Sequence, residues 1–476
     1  MFKMLRPASA LLAGTLAVAI SGCATTHTPS ALPSGPAPAK APTGIHIPVE
    51  YYHLDNGLRV VLSRDNSIPT VTVAVYYHIG FRIEPRGRTG FAHLFEHLMT
   101  QSSANLPKGA FDQLVEGNGG IGNASTRYDF TNFYEIVPAN VLQTVLWAEA
   151  DRMGGLTITP KNLANQKAVV KNEVRVNVLN RPYGGFPWLE MPQFANQNWY
   201  NAHNFYGNLA DIDAATLDEA KSFYKSYYAP GNAVVVVAGD FDPASARAWI
   251  QQYFGRIPAR PVAAMPDVSE PRQTVERRHS YVDPLAPRPA LAVAWHVPKR
   301  GTPEDFAFGL IDQLLLQGED SALWQRLVQQ KGYSDSVGGG INLLGNMFDY
   351  DGPMLWTFSL LHDPTVSADQ ILGDVDAVID RLATTPPSQA DMDRALTKIR
   401  ASLYDMAGDS TRFGLVDLLA SFALFDDDPS RINRIEAGFR AVTPQMVSKV
   451  AREYLRKTNR TVLIVEPGAA GHGGKP

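Results

Sequence analysis

The chain has 476 residues, too many for one hydrophobic core, which predicts two or more domains. Its 45% hydrophobic and 19% charged residues are ordinary for a folded protein, and a net charge of −4 argues against nucleic acid or an anionic surface as partner. A single cysteine excludes both an intrachain disulfide and a thiolate metal cluster.

Lys3 and Arg6 open the chain with positive charge, Ala8 to Ile20 form a short apolar run, and Ile20-Ser21-Gly22-Cys23 closes it. The run is too short to span a bilayer comfortably and reads as a signal peptide over residues 1–22. The closing four residues resemble the lipobox of bacterial lipoproteins, which implies cleavage before Cys23 and lipid attachment to it. Ala24 follows, not the aspartate of the sorting pattern, which implies the outer membrane with the protein facing the periplasm. Residues 23–45 are rich in Pro, Ala, Ser and Thr and read as an extended tether.

Asp55-Asn56-Gly57 is a hairpin signal, followed by strands over Leu58–Leu62 and Thr70–Tyr77 that are expected as antiparallel neighbours. They feed into Gly90-Phe91-Ala92-His93-Leu94-Phe95-Glu96-His97-Leu98-Met99. On a helix, positions i and i+4 share a face, so His93 and His97 can reach one metal ion. Glu96 projects from nearly the same face, close enough to act on a water held there. Thr89 is the expected N-cap, with Gly90 easing the turn into the helix. Two histidines make half a zinc site, so another ligand has to come from elsewhere.

A short helix over Gly109–Glu116 stops at Gly117-Asn118-Gly119-Gly120, before Gly122-Asn123-Ala124-Ser125-Thr126 and an alternating strand over Thr131–Val137. Apolar spacing predicts a helix over Val141–Met153, and Thr159-Pro160 opens a long helix through about Leu179 that contains Glu173. Thr216-Leu217-Asp218-Glu219 is a capping box, Val234–Ala238 a buried strand, and Asp242-Pro243 a helix start.

Pro258, Pro261, Pro266 and Pro271 mark residues 256–277 as a connector. Beyond it the chain starts again. Thr216, Tyr227, Asn232 and Val235 recur as Thr443, Tyr454, Asn459 and Val462, all at an offset of 227. The expectation is an α+β chain of two tandem homologous domains, 46–255 and 278–467, with a flexible tail over 468–476. Phe91-Ala92-His93 aligns with Phe306-Ala307-Phe308, which places Ile311 and Asp312 opposite Glu96 and His97. Glu173 falls near Lys398 or Ile399, so the second copy cannot build the metal site.

His-x-x-Glu-His, with Glu173 lying 76 residues after His97, resembles the pitrilysin/insulinase family of inverted-motif zinc peptidases, which includes mitochondrial processing peptidase. Gly119-Gly120, Asn123-Ala124, Asp129, Thr131 and Asn180-Arg181-Pro182-Tyr183-Gly184 carry the resemblance further, over roughly Ile47 to Glu466. It implies a mostly antiparallel sheet packed with helices in each domain, and a zinc endopeptidase of small or unfolded peptides. One Zn2+ per chain would be held by His93, His97 and Glu173, with the fourth position left to water. Glu96 would be the general base and acid. The resemblance also assigns Asn123 and Ala124 to edge pairing with peptide, and Arg326 and Tyr333 to substrate and the developing oxyanion.

Gln166 departs from the pattern, standing where many members carry a glutamate two turns before the ligand; an amide can hydrogen-bond there but supplies no charge. His78, His203 and His296 lack ligand spacing and are expected as surface or hydrogen-bonded groups. Family members close two bowl-shaped halves around a chamber, and this chain supplies one bowl. A second subunit, identical or a zinc-less paralogue, is therefore expected. The competing expectation is a non-catalytic scaffold subunit, which the intact His93, Glu96, His97 and Glu173 set opposes. A zinc store leaves Glu96 and the duplication without a role.

Overall fold

β1 (Glu50–His53), β2 (Arg59–Arg64), β3 (Thr70–Tyr77), β4 (Ile121–Thr126), β5 (Thr131–Pro138) and β6 (Ala233–Gly239) make one sheet in the order β1-β2-β6-β3-β5-β4. β7 (Arg277–Asp283), β8 (Ala290–His296), β9 (Gly338–Ile341), β10 (Leu355–Leu361) and β11 (Arg460–Pro467) make a second, in the order β7-β11-β8-β10-β9. The computed structural model in which they lie describes Gly44 and residues 46–468. The leader, Cys23, nearly all of the tether and the tail after Gly468 lie outside the described residues.

With β1 set aside, the two sheets have one topology. Each contains a single parallel pair, β2 with β6 and β7 with β11, and the remaining pairs are antiparallel. The likeness reaches single side chains. Asn232 donates its amide to the carbonyls of Tyr227 and His78 at 2.8 and 3.1 Å, and Asn459 does the same to Tyr454 and His296 at 2.7 and 3.2 Å. The fold is α+β and duplicated.

One expectation fails. β2 and β3 are not neighbours, because β6 lies between them, parallel to β2 and antiparallel to β3. Every residue of β6 is buried, so this all-apolar strand takes the interior position and the short connection from β2 to β3 steps over it. The Asp55-Asn56-Gly57 turn does make a hairpin, but it joins β1 to β2, with Gly57 at φ +87°.

Four helices of the first half matter for the site: α1 (Phe91–Met99), α2 (Ala110–Glu116), α3 (Leu142–Gly155) and α4 (Pro160–Val174). Thr159 caps α4 by accepting from Asn162 N, and the helical path runs on to Leu179 as one π-helical stretch, Arg175–Leu179. The first sheet is buried on both faces. Val60, Leu62, Val71, Val73 and Val75 pack with Leu94 and Phe95 of α1 and Val145 and Leu146 of α3. The alternate residues Val61, Ala74, Tyr76, Val234 and Val236 face the other way, into a core shared with the second half.

What covers that other face comes from far along the chain. The helix Phe413–Asp426 lies against β2, β3 and β6, while the helix Met191–Ala195 of the first half lies against β7, β8 and β11. The halves thus exchange helices. Polar ties reinforce the exchange: Tyr76 donates its hydroxyl to Asp417 at 2.9 Å, and Asp129, paired with Arg82 at 2.9 Å, accepts from Asp351 N at 2.8 Å. Each large apolar side chain removed from water here contributes roughly 1.5–3 kcal/mol.

Leu419 is fully buried in the exchanged helix. Leu419→Ala is expected to cost about 2–5 kcal/mol of unfolding free energy by leaving a cavity in the shared core. Urea denaturation checks this, and a loss under about 1 kcal/mol would contradict the packing described.

Candidate metal centre

α1 starts at Gly90, whose φ of +80° suits glycine and which offers no side-chain cap. A Cβ there would lie 2.5 Å from the carbonyl oxygen of Tyr206. Thr89 is not the N-cap. Its hydroxyl donates to Asp211 at 2.6 Å and accepts from Asn208 N at 2.8 Å, so it is engaged away from the helix. The cap is Glu84, whose Oε2 accepts from Gly90 N at 2.8 Å and whose Oε1 accepts from Ala92 N at 2.6 Å. A carboxylate there satisfies orphan donors and faces the positive end of the helix dipole. Sequence reasoning missed it because Glu84 lies in a preceding loop, outside any local capping pattern.

α1 packs beside α4, which brings both histidines to Glu173. His93 Nε2 and His97 Nε2 are 3.2 Å apart, and Glu173 Oε2 lies 3.7 and 3.3 Å from them respectively. Zinc held tetrahedrally at about 2.0–2.1 Å from nitrogen and oxygen ligands has ligand–ligand edges of about 3.3 Å. The triangle therefore fits one face of such a tetrahedron and leaves a fourth position. Among the described residues, this is the one group of three His, Cys, Asp or Glu side chains placed to share an ion.

The protonation states suit ligands. Burial pushes His93 down to about 4, which keeps its ring neutral near pH 7. Partial burial would raise the Glu173 carboxyl, but the His97 hydrogen bond, His93 and the Tyr206 hydroxyl outweigh it and hold it below its ordinary range. Tyr206 donates that hydroxyl to Glu173 Oε1 at 3.0 Å, leaving Oε2 towards the imidazoles. Nothing in the sequence around Tyr206 signals this role. Gln166 is buried on the same helix as Glu173.

Glu96 lies on the open side. Thr126, at the end of β4, donates its hydroxyl to Glu96 Oε2 at 2.7 Å. Burial nonetheless raises the Glu96 carboxyl, with Thr126 and His97 pulling against the shift. Among the described residues β4 is the outer strand of its sheet, paired only with β5, and Asn123 and Ala124 lie in it. A cavity of about 280 Å3 is lined by Glu96, His97, Asn123, Ala124, Phe133 and Glu135.

Arg326 and Tyr333 are not joined to this cluster by any hydrogen bond. Arg326 Nε donates to Asp374 at 2.7 Å, and the Tyr333 hydroxyl donates to the other oxygen of Asp374 at 2.8 Å. In the second half Ile311 belongs to the core, and buried Asp312 accepts from Trp356 Nε1 at 2.6 Å and Gln317 Nε2 at 3.2 Å. Lys398 donates to the Gln317 carbonyl at 2.8 Å. The counterpart of the metal site is spent on internal hydrogen bonds.

Similarity to known proteins agrees with this division. Insulinase (Peptidase family M16) matches residues 59–184, which hold the triad, and Peptidase M16 inactive domain matches residues 214–399. Zinc protease PqqE of Helicobacter pylori is 26% identical over 419 residues, spanning 87% of this chain and 92% of its own. Mitochondrial cytochrome b-c1 complex subunit 1 of Homo sapiens is 24% identical over 264 residues, 55% of this chain and 54% of its own. The crystal structure of a protease from Helicobacter pylori aligns at a TM-score of 0.82 and 25% identity, over 89% of this chain and 100% of that one. With both halves matched in order and the fold shared over 89% of the chain, the chain belongs to the insulinase (M16) family of peptidases.

Proposed function

We propose that the chain is a zinc-dependent endopeptidase that hydrolyses small or unfolded polypeptides. The observation that carries this is the ligand triangle of His93, His97 and Glu173 with Glu96 beside it. Zinc in that triangle would supply Lewis acidity, polarising a peptide carbonyl and acidifying water. Glu96 takes a proton from the attacking water and passes it to the leaving amine, its raised pKa suiting it to both transfers. Thr126 holds the Glu96 carboxylate in place, and Tyr206 holds Glu173. The open edge of β4 supports binding of an extended peptide by strand addition at Asn123 and Ala124. A scaffold role leaves this complete set of reactive groups unused.

The half-bowl architecture implied by the family supports a second subunit, a further copy or a zinc-less paralogue, closing over the cavity. In that arrangement Arg326 and Tyr333 are proposed to reach substrate and the developing oxyanion from the covering half, pre-set by Asp374. The leader and Cys23 support a lipid-anchored protein on the periplasmic side of the outer membrane.

Glu96→Gln is expected to keep about one zinc per chain, by metal analysis, and to lose on the order of a hundredfold or more in turnover of an unfolded peptide. Retained turnover would remove Glu96 from the mechanism. Because the base form of Glu96 is needed, activity is present above its raised pKa and lost as pH falls through it. Thr126→Val removes a hydrogen bond that favours the carboxylate, so the acid limb of kcat/KM should move to higher pH. An unmoved limb would separate Glu96 from that titration. Cys23→Ser is expected to shift the protein from the membrane to the soluble fraction; continued sedimentation with membranes would contradict lipid anchoring.

A further inference from the structure

The ring of His93 lacks the usual outer support of a metal ligand. A ligating imidazole ordinarily donates its second N–H to a carboxylate or carbonyl that fixes its direction. Here Nδ1 of His93 is buried with no hydrogen-bond partner among the described residues. The ring is instead wedged against Phe205 and Tyr206, with centroids 4.8 and 5.3 Å away. Its aim therefore depends on those aromatic contacts and on how the α1 backbone is held.

Both are set from one loop. Residues 203–211 pass beneath the start of α1 so closely that a Cβ on Gly207 would lie 2.3 Å from the Thr89 carbonyl carbon. Asn208 and Asp211 grip Thr89, Phe205 and Tyr206 flank His93, and His203 reaches Glu84, the cap of α1. His203 Nε2 is 3.6 Å from Glu84 Oε2 and also faces the Phe81 carbonyl, while Nδ1 faces the Trp199 carbonyl at 3.1 Å. Carbonyl and carboxylate oxygens only accept, so a ring with hydrogen on both nitrogens, an imidazolium, is the form that satisfies every one of these contacts. Burial works against that charge, but Glu84 and the two carbonyls outweigh it and raise the His203 pKa. Glu84 is fully buried, and its two oxygens are occupied by backbone N–H groups. Burial raises the Glu84 carboxyl, and His203, the cation beside it among the described residues, pulls against that shift together with the two backbone N–H groups.

We infer that Glu84 and His203 are positioning residues for the metal centre, their buried carboxylate–imidazolium contact holding α1 so that His93 and His97 point at one ion. The pair replaces, through the helix, the hydrogen bond that His93 Nδ1 lacks. It touches neither substrate nor ion, and it rests on the zinc reading of the triad.

The test uses the full-length protein, with Glu84→Gln, His203→Gln and the double variant. Zinc affinity is measured by competition with a chromogenic chelator, the Co2+-substituted site by its visible absorption, and the metal-free fold by its Tm. Each single variant is expected to weaken zinc binding by about ten- to a hundredfold and to alter the Co2+ spectrum. The double variant should be no weaker than the weaker single, as for groups acting as one unit. Wild-type zinc affinity and spectrum in variants with lowered Tm would overturn the inference, leaving the pair purely structural. Additive losses would overturn the claim that the two act together. A wild-type chain that takes up no zinc overturns the zinc reading itself, which separates the two failures. His203→Gln alone carries the test if Glu84→Gln does not fold.

Discussion

Two imidazole nitrogens and a carboxylate oxygen converge within 3.7 Å of one another, a set of three donor atoms that one shared cation would satisfy together. The rest of the first half is arranged so that this convergence persists. α1 is only nine residues long and could not hold two ligands by its own helix stability. It is fixed at its start by Glu84, along its length by apolar contact with the first sheet, and across its face by α4. The third ligand arrives on α4, just before the helix loosens into π geometry, a common feature near functional sites.

Duplication makes the point by contrast. The second half repeats the strand order, the parallel pair, and the Asn that staples a helix end to a strand, yet Asp312 faces Trp356 and Gln317 where His97 faces an ion site. The scaffold alone therefore does not make the chemistry. What separates the halves is a set of four side chains, on a frame that tolerates their replacement.

Much of this was legible in residues whose meaning is local or periodic. His93 and His97 declare themselves by a spacing of four, Thr159 and Thr216 by their caps, and the repeat by Thr443, Tyr454 and Asn459. What escaped depends on partners distant in sequence. β6 entering between β2 and β3 depends on which strand must be buried on both faces, a property of the assembled sheet. Thr89 had the right chemistry for a cap, and only the approach of Asn208 and Asp211 draws it away. Glu84, Thr126 and Tyr206 are ordinary residues until the fold sets them beside ligands and base. His203 was legible as a surface or hydrogen-bonded histidine, but not as the neighbour of a helix cap.

The exchanged helix has a consequence for biosynthesis. β6 is complete at Gly239, but the helix that shields its far side begins at Phe413, roughly 170 residues later. At ribosomal speeds of about 5–20 residues per second, that interval lasts on the order of ten to thirty seconds. Throughout it, Val61, Ala74, Val234 and Val236 lack the second-half side chains of their core, so the nascent first half cannot reach its final packing alone. All three side chains of the candidate metal site have been synthesised by Glu173, long before the surface that stabilises their sheet exists. Maturation of the metal centre is thus tied to completion of the half that carries no metal.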